Sequence, residues 1–516
     1  LQYVLDYLSE VFPAAVVEVH RRLREIWLAA GHDPKILRDI APAPRLTFGD
    51  WVGGDRDGHP LVTPEVTRET LARLRATALD VVQKRLTALS HNVSFSDFFQ
   101  DAPRELVDHL AERRDNMKRN EWTPVRELPH EPWREFVLHM RAGIDRAIAT
   151  KSGAYEDPDQ LEADLKMLRR SLTAIGADRL ARAEIDPLLV HLDTFGFHLA
   201  AVDIRQNSAY YARAMKQLLE AAGIADNDYT EWAPEKREAF LNKELTSLRP
   251  LAPRGAKLGP EAREVIDCFE AVAQSIHTNG DAGIGSFIVS MTQHISDLLV
   301  VYAFAREAGL LVQENGGLRS LIKVVPLFET LNDLENGSDI LADFLEHPLT
   351  QQTIRAGTAE PAQQIMVGYS DSNKDAGIFA SQWALHCAQR DLTETARAQG
   401  VRPVFFHGRG GTFSRGAGPT HRFLESLPAG ALSGHIRVTE QGEVIAHKFG
   451  NLPTAVFNLE LLLAGVVAST GKNEKPETED ALFVDICEKL SDYSAAAYRD
   501  LLASDGFIEF WSEDTP

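Results

Sequence analysis

Residues 286–328 begin with SFIVSM, end with IKVVPLF and carry SDLLVVYAFAREAGLL between them. The end runs are short, apolar and rich in β-branched residues, whereas the middle has a helical pattern. Together they spell strand, helix, strand, the unit of a parallel sheet. QIMVGYS (364–370) and VRPVFFH (401–407) repeat the arrangement around the helical FASQWALHCAQRDLTETARAQG, and FHLAAVDIR (197–205) and HIRVTEQGEVI (435–445) read as further β-rich runs. Four successive runs end at 291, 328, 370 and 407, in steps of 37, 42 and 37 residues. That regularity predicts an α/β fold: a helix-rich, TIM-like β/α barrel with extensive additional helices.

Outside this centre the pattern is helical. Residues 1–40, 64–120 and 130–190 place apolar positions three and four apart, as in VTRETLARLRATALDVVQKRLTAL, with the glycine-rich punctuation FGDWVGGDRDGHP at 48–60. Residues 224–262 are rich in turn formers and read as a surface connection around a short helix. The expected organisation is a mainly helical region over 1–190, a β/α core over 191–450 and a helical segment over 451–516.

The 516 residues are 44% hydrophobic and 25% charged, ample for a large core. Asp plus Glu outnumber Lys plus Arg by 75 to 54, a formal net charge of −21, which argues against a nucleic-acid surface. An acidic chain that binds an anion must concentrate its arginines locally. Cys268, Cys387 and Cys487 form no CxxC, so neither zinc nor a disulfide framework is implied and a reducing, cytoplasmic setting is expected. No apolar run reaches the roughly 18 residues of a membrane helix, and LELLLAGVVAS (459–469) reads as a core helix, so no membrane is expected. The chain starts without Met and without a basic, signal-like segment, and is expected to be a piece of something longer.

A barrel gathers its chemistry at the C-terminal ends of its strands. Polar residues collect just after the apolar runs: Asp203 and Arg205; Thr292 and Gln293; Glu329; Asp371, Lys374 and Asp375; His407 and Arg409; Glu440 and Glu443. Glu329 and Asp371, at adjacent strand ends, suit a hard divalent cation such as Mg²⁺, which takes one or two carboxylates beside substrate and water. Each could instead cap the helix that follows. The loop FHGRGGTFSRGAGP (406–419) combines five glycines with Arg409 and Arg415, so its bare amides and guanidinium groups can clamp a phosphate or carboxylate. The nearest Walker-like string, GVVASTGKN, has the wrong spacing and lacks the required hydroxyl. Lys374 is either a charge partner for an enolate or phosphate or a solvated turn lysine, and His407 either an acid, base or donor or a structural histidine. In FGDWVGGDRDGHP, Gly53 and Gly54 permit a tight backbone approach and Asp55, Arg56 and Asp57 are expected to form an internal salt-bridged turn; nothing in its chemistry alone assigns it a mechanism.

Taken in order, FGDWVGGDRDGHP, VDIRQNS, SMTQHISDLL, VVPLFETLNDL, VGYSDSNKDAG, FHGRGGTFSRGAGP and RVTEQGEVI resemble the bacterial and plant type phosphoenolpyruvate carboxylase family, essentially from residue 1 to 516. The resemblance implies joining of phosphoenolpyruvate to bicarbonate, via carboxyphosphate and an enolate, with Mg²⁺ or Mn²⁺. It implies Glu329 and Asp371 as metal ligands, Arg205 and Arg409 as phosphate-binding residues, and Lys374, His407 and Arg415 as further catalytic positions. Trp51, Leu327 and Met366 resemble the pocket that holds CO₂, and a cytoplasmic, allosteric homotetramer is implied. The departures are the missing TAHPTE and GSRPAKR motifs, FSRGAG where VGRGGG is usual, and QHISDLL in place of a PSD entry. The preferred expectation is the central portion of a carboxylase whose remaining catalytic segments lie outside this chain. The alternative is a shortened homologue that binds phosphoenolpyruvate or a similar anion as a regulatory or scaffold module.

Overall fold

Seven strands, all parallel, follow one another across a single sheet in chain order: β1 (Gly49–Asp50), β2 (Ala201–Asn207), β3 (Ile284–Ser290), β6 (Lys323–Phe328), β7 (Ala362–Gly368), β8 (Arg402–Gly408) and β9 (Arg437–Val438). The two remaining strands, β4 (Leu311–Glu314) and β5 (Gly317–Ser320), form a separate antiparallel hairpin. This computed structural model describes residues 1–33, 45–120, 122, 125–253, 255–408, 420–473 and 480–514. Helices Ile295–Glu307, Leu331–Glu346 and Ile378–Ala398 link successive sheet strands.

The sheet is curled. In a flat sheet β2 and β9 would lie five strand spacings apart, about 24 Å, yet Arg437 Nη2 on β9 donates to Asp203 Oδ2 on β2 at 2.6 Å. The same arginine meets Gln364 Oε1 on β7 at 3.2 Å and Ser286 Oγ on β3 at 3.4 Å, and Ser286 Oγ donates to Gln364 at 2.7 Å. These groups can converge only on the concave face. Among the described residues no strand joins β9 to β1, so the architecture is a curled, helix-rich parallel α/β sheet and not a closed barrel.

Strand alternation sorts the apolar residues into two populations. Ile204, Phe287, Val289, Val367 and Phe405 belong to the large core, packed with residues of the surrounding helices. Ile288, Val325, Leu327, Met366 and Phe406 form a separate cluster with Trp51 on the concave face. A further core lies among the N-terminal helices, where Trp133 donates its indole N–H to Ser171 at 3.0 Å.

Two helix starts explain local sequence. Thr330 and Asp333 form a capping box at Leu331–Glu346. His294 and Asp297 do the same for Ile295–Glu307, so the unusual QHISD entry still supplies a cap.

Two differences from the sequence reading have physical causes. HIRVTEQGEVI contributes only the two-residue β9, and Gly442–Phe449 is a helix, because Val444, Ile445 and Phe449 satisfy helical spacing as well as a strand. The hairpin turns at Asn315 and Gly316, whose φ values of 50° and 81° are the left-handed pair that Asn-Gly favours, a signal the βαβ reading passed over. The apolar segment near 459 lies in the helix Leu452–Asn473, of which Leu452–Gly471 has a mean hydropathy of 1.6 and is only 28% buried. By length and composition that one helix could cross a membrane. Ala455, Val456 and Leu459 form its buried stripe, while Phe457 is 62% exposed.

Arg437→Met leaves the Asp203 carboxylate buried without its cation and is expected to cost about 3–5 kcal/mol in denaturant unfolding. Adding Asp203→Asn to that variant is expected to recover part of the loss.

Candidate active site

Alternation along the strands stacks the concave face in layers. Nearest the N-terminal ends is the polar network of Asp203, Ser286, Gln364 and Arg437. Asp203 is fully buried; burial pushes its carboxyl up, while Arg437, the Ser286 amide at 2.7 Å and the Trp51 indole N–H at 2.8 Å pull the other way. One residue pair further along lies the apolar floor. Leu327, Met366 and Phe406 are aligned partners on β6, β7 and β8, and the Trp51 ring meets Phe406 edge-on at 6.0 Å. The structure thus brings Trp51, Leu327 and Met366 into one cluster.

Arg205 follows Asp203 by two residues and so faces the same side. Its Cζ lies 4.9 Å from the centre of the Trp51 ring, a cation–π contact that links it to the apolar floor. Its Nε and Nη2 donate to Asp55 Oδ1 and Oδ2 at 2.8 and 2.9 Å. The FGDWVGGDRDGHP segment reaches this point by rejoining the sheet: the Arg205 amide donates to Gly54 O at 3.0 Å and the Arg56 amide to Arg205 O at 2.9 Å. Gly54 is required because a Cβ there would collide with the Asp203 carbonyl, and Gly53 adopts φ 89° beside Thr70. Buried Arg56 pairs with Glu264 and Thr67 Oγ donates to Gly53 O at 2.7 Å, so the loop is anchored at both ends.

Glu329 continues the alternation of Val325 and Leu327 and is only 7% exposed. Burial pushes its carboxyl up to about 7 from an ordinary 4.5; the Met291 amide, donating at 3.1 Å, opposes this, Asp371 and Asp57 raise it, and Arg205 lowers it. Met291 presents that amide from a left-handed φ of 53°, costly for a residue with a Cβ, while its own carbonyl accepts from Ser208 Oγ at 2.8 Å. Asp57 is held by Ser290 Oγ at 2.6 Å. Neither Glu329 nor Asp371 is a helix cap: Thr330 caps one helix, and Tyr369 occupies the N-cap position of Ser370–Ala376, which has no side-chain cap. Asp371 instead accepts from Lys374 Nζ at 2.8 Å, the lysine side chain being 72% exposed. Asp375 accepts from the Leu331 amide at 3.1 Å and Glu440 pairs with Lys448 at 2.5 Å, which gives both a local structural partner.

His407 lies on the other side of β8 from Phe406. It is fully buried, with Nδ1 2.8 Å from Tyr369 Oη and its ring edge-on to Phe423 at 4.9 Å. It is therefore apart from the Arg205–Glu329 group. Arg409 and Arg415, with the FSRGA departure, lie outside the described residues, as β8 ends at Gly408. Asp55, Arg56 and Asp57 do not close on one another as a salt-bridged turn: they pair with Arg205, Glu264 and Ser290, because the loop meets β2, 150 residues away in sequence, which local pattern does not reveal. The doubled glycine before DRD was the available clue to close backbone approach.

The phosphoenolpyruvate carboxylase family model matches residues 1–516. The phosphoenolpyruvate carboxylase of Thermosynechococcus vestitus is 34% identical over 100% of this chain and 52% of its own length. That of Rhodopseudomonas palustris is 37% identical over 98% and 54%, and phosphoenolpyruvate carboxylase 1 of Chlamydomonas reinhardtii is 33% identical over 99% and 53%. The chain spans about half the length of the curated relatives it matches.

Because the Glu329 shift is upward, the folded protein holds that proton more tightly than the unfolded chain. The stability it contributes is fully present below about pH 4.5 and is lost as the pH rises through about 7. In chelator-treated protein, Glu329→Gln is expected to exceed the wild type in stability by about 3 kcal/mol at about pH 8, with no advantage at about pH 4. Denaturant titrations at the two pH values check this.

Proposed function

Because this chain belongs to the phosphoenolpyruvate carboxylase family, we propose that the protein carboxylates phosphoenolpyruvate with bicarbonate, yielding oxaloacetate and phosphate. The observation that carries this reading is one charge cluster over an apolar floor: buried Glu329 crowded by Asp371 and Asp57, with Arg205 laid on Trp51. We read the seven strands as the greater part of a TIM-like barrel.

The donor set fits Mg²⁺ or Mn²⁺, since it is made of hard carboxylate oxygens whose mutual repulsion the described cations only partly relieve. Glu329 and Asp371 would hold the cation, which when bound supplies Lewis-acid stabilisation of charge on the phosphoryl and enolate oxygens. Arg205, with Arg409 from the glycine-rich loop, binds the phosphoryl group and stabilises its charge as phosphorus passes from the enol oxygen to a bicarbonate oxygen. That transfer leaves carboxyphosphate and the enolate of pyruvate. Carboxyphosphate breaks down to CO₂ and phosphate, and the enolate methylene carbon then attacks CO₂. Trp51, Leu327 and Met366 offer CO₂ an apolar resting place and exclude the water that would protonate the enolate. Lys374, exposed beside Asp371, is assigned to charge neutralisation at the rim, and Arg415 is proposed as a further catalytic position. His407, bonded to Tyr369, is assigned to fixing the end of β8 from which the loop departs. A cytoplasmic homotetramer completes the proposal.

At its full natural length the protein is expected to show bicarbonate-dependent oxaloacetate formation in an assay coupled to malate dehydrogenase; its absence would sink the reading. Asp371→Asn is expected to raise the Mg²⁺ concentration needed for half-maximal rate at least about tenfold. Its melting temperature should stay within about 2 °C of the wild type. Unchanged metal dependence would leave Asp371 only as a partner of Lys374.

A further inference from the structure

The guanidinium group of arginine has two edges that can each make paired hydrogen bonds, a side edge formed by Nε and Nη2 and an end edge formed by Nη1 and Nη2. In Arg205 the side edge is taken by Asp55, at 2.8 and 2.9 Å. Among the described residues no hydrogen-bond partner meets Nη1. The pairing does not depend on chance surface geometry. Backbone bonds on either side of Asp55, Arg205 N–H to Gly54 O and Arg56 N–H to Arg205 O, lock the two residues side by side as a parallel bridge. The Trp51 ring, four residues before Asp55, packs on the same guanidinium group.

We propose that Asp55 is the positioning residue for Arg205: it occupies the side edge of the guanidinium group and so presents the end edge to the phosphoryl group of the substrate. Three contacts from one loop then set one side chain: a carboxylate fixes its edge, an indole fixes its plane, and the backbone ladder fixes its level along β2. The carboxylate also cancels much of the long-range field of Arg205, so an anion gains from it chiefly through directed hydrogen bonds and not through bulk attraction. This gives the GGDRDG turn a function: it is a clamp on a substrate-binding arginine. The inference rests on the carboxylase reading, because it takes Arg205 as a phosphoryl ligand.

The test compares wild type, Asp55→Asn, Arg205→Lys and the double variant by calorimetric titration with phosphoenolpyruvate in Mg²⁺ and by steady-state kinetics. Asp55→Asn is expected to weaken phosphoenolpyruvate binding about tenfold, the scale of one charged hydrogen bond. KM should rise by a similar factor, with the Mg²⁺ requirement and melting temperature unchanged. The double variant should be no worse than Arg205→Lys, since Asp55 acts only through the arginine. If the Asn variant melts early, Asp55→Glu carries the test: it keeps the charge, displaces the guanidinium group by a methylene and should raise KM severalfold. Wild-type affinity in both Asp55 variants, or a double variant whose loss is the product of the two single losses, overturns the assignment of Asp55. A wild-type protein with neither binding nor turnover overturns the carboxylase reading and this assignment with it.

Discussion

The ion pair between Asp203 and Arg437 is the constraint on which the rest of the site depends, because it holds the second strand and the last strand of the sheet within one side chain's reach. Burying the Asp203 carboxylate is expensive, and an isolated pair would be a poor way to curl a sheet. Here nearly every remaining valence is used: the Ser286 amide, the Trp51 indole, Gln364 and Ser286 Oγ complete the network, and the Phe406 ring lies under the guanidinium group at 4.4 Å. A network satisfied to this degree specifies one geometry and penalises alternatives. It also supports the layer above, since the same Trp51 that bonds Asp203 lies beside Arg205.

The short β1 and the loop that follows it carry the other edge of the site. Two residues of strand are too few to stabilise an edge alone, so the segment relies on tertiary anchors: Thr67 on Gly53, Glu264 on Arg56, and the return to β2 at Arg205. The glycines matter because the loop passes where a Cβ would meet the β2 carbonyl. Close approach of two backbones turns a run of charged residues, which alone would be a solvated turn, into a set of partners for one arginine and one glutamate.

On the proposed carboxylase reading, charge distribution explains how a chain with net charge −21 can offer an anion site. Arg205 and Arg437 are placed where Asp55 and Asp203 hold them, and at the strand ends Asp371 and Asp57 crowd Glu329. Backbone strain is spent at the same place: Met291 adopts a left-handed conformation, and its amide thereby reaches Glu329.

Much of this was legible in the chain itself. The order of β-rich runs and helical segments and the 37- to 42-residue spacing of run ends marked the parallel sheet, because burial on both faces forces continuous apolar runs and helices of similar length must return the chain each time. The ends of those runs placed Arg205 and Glu329 near strand ends, and the ordered motifs pointed to the family. Local pattern is ambiguous at GEVIAHKF, which suits helix and strand alike, and at Asn315-Gly316 the turn chemistry, not the spacing of runs, marks a hairpin. The sequence by itself marked six of the seven sheet strands, β2, β3, β6, β7, β8 and β9, and the polar residues that follow them, since these depend on local composition and short connections; the two-residue β1 and the β4–β5 hairpin are too short to stand out by pattern. Only the tertiary structure decided that the sheet curls until Arg437 meets Asp203, that His407 faces the helices and not the concave side, and that Asp55 grips Arg205. Each of these depends on contacts between residues far apart in the chain, for which periodicity carries no information.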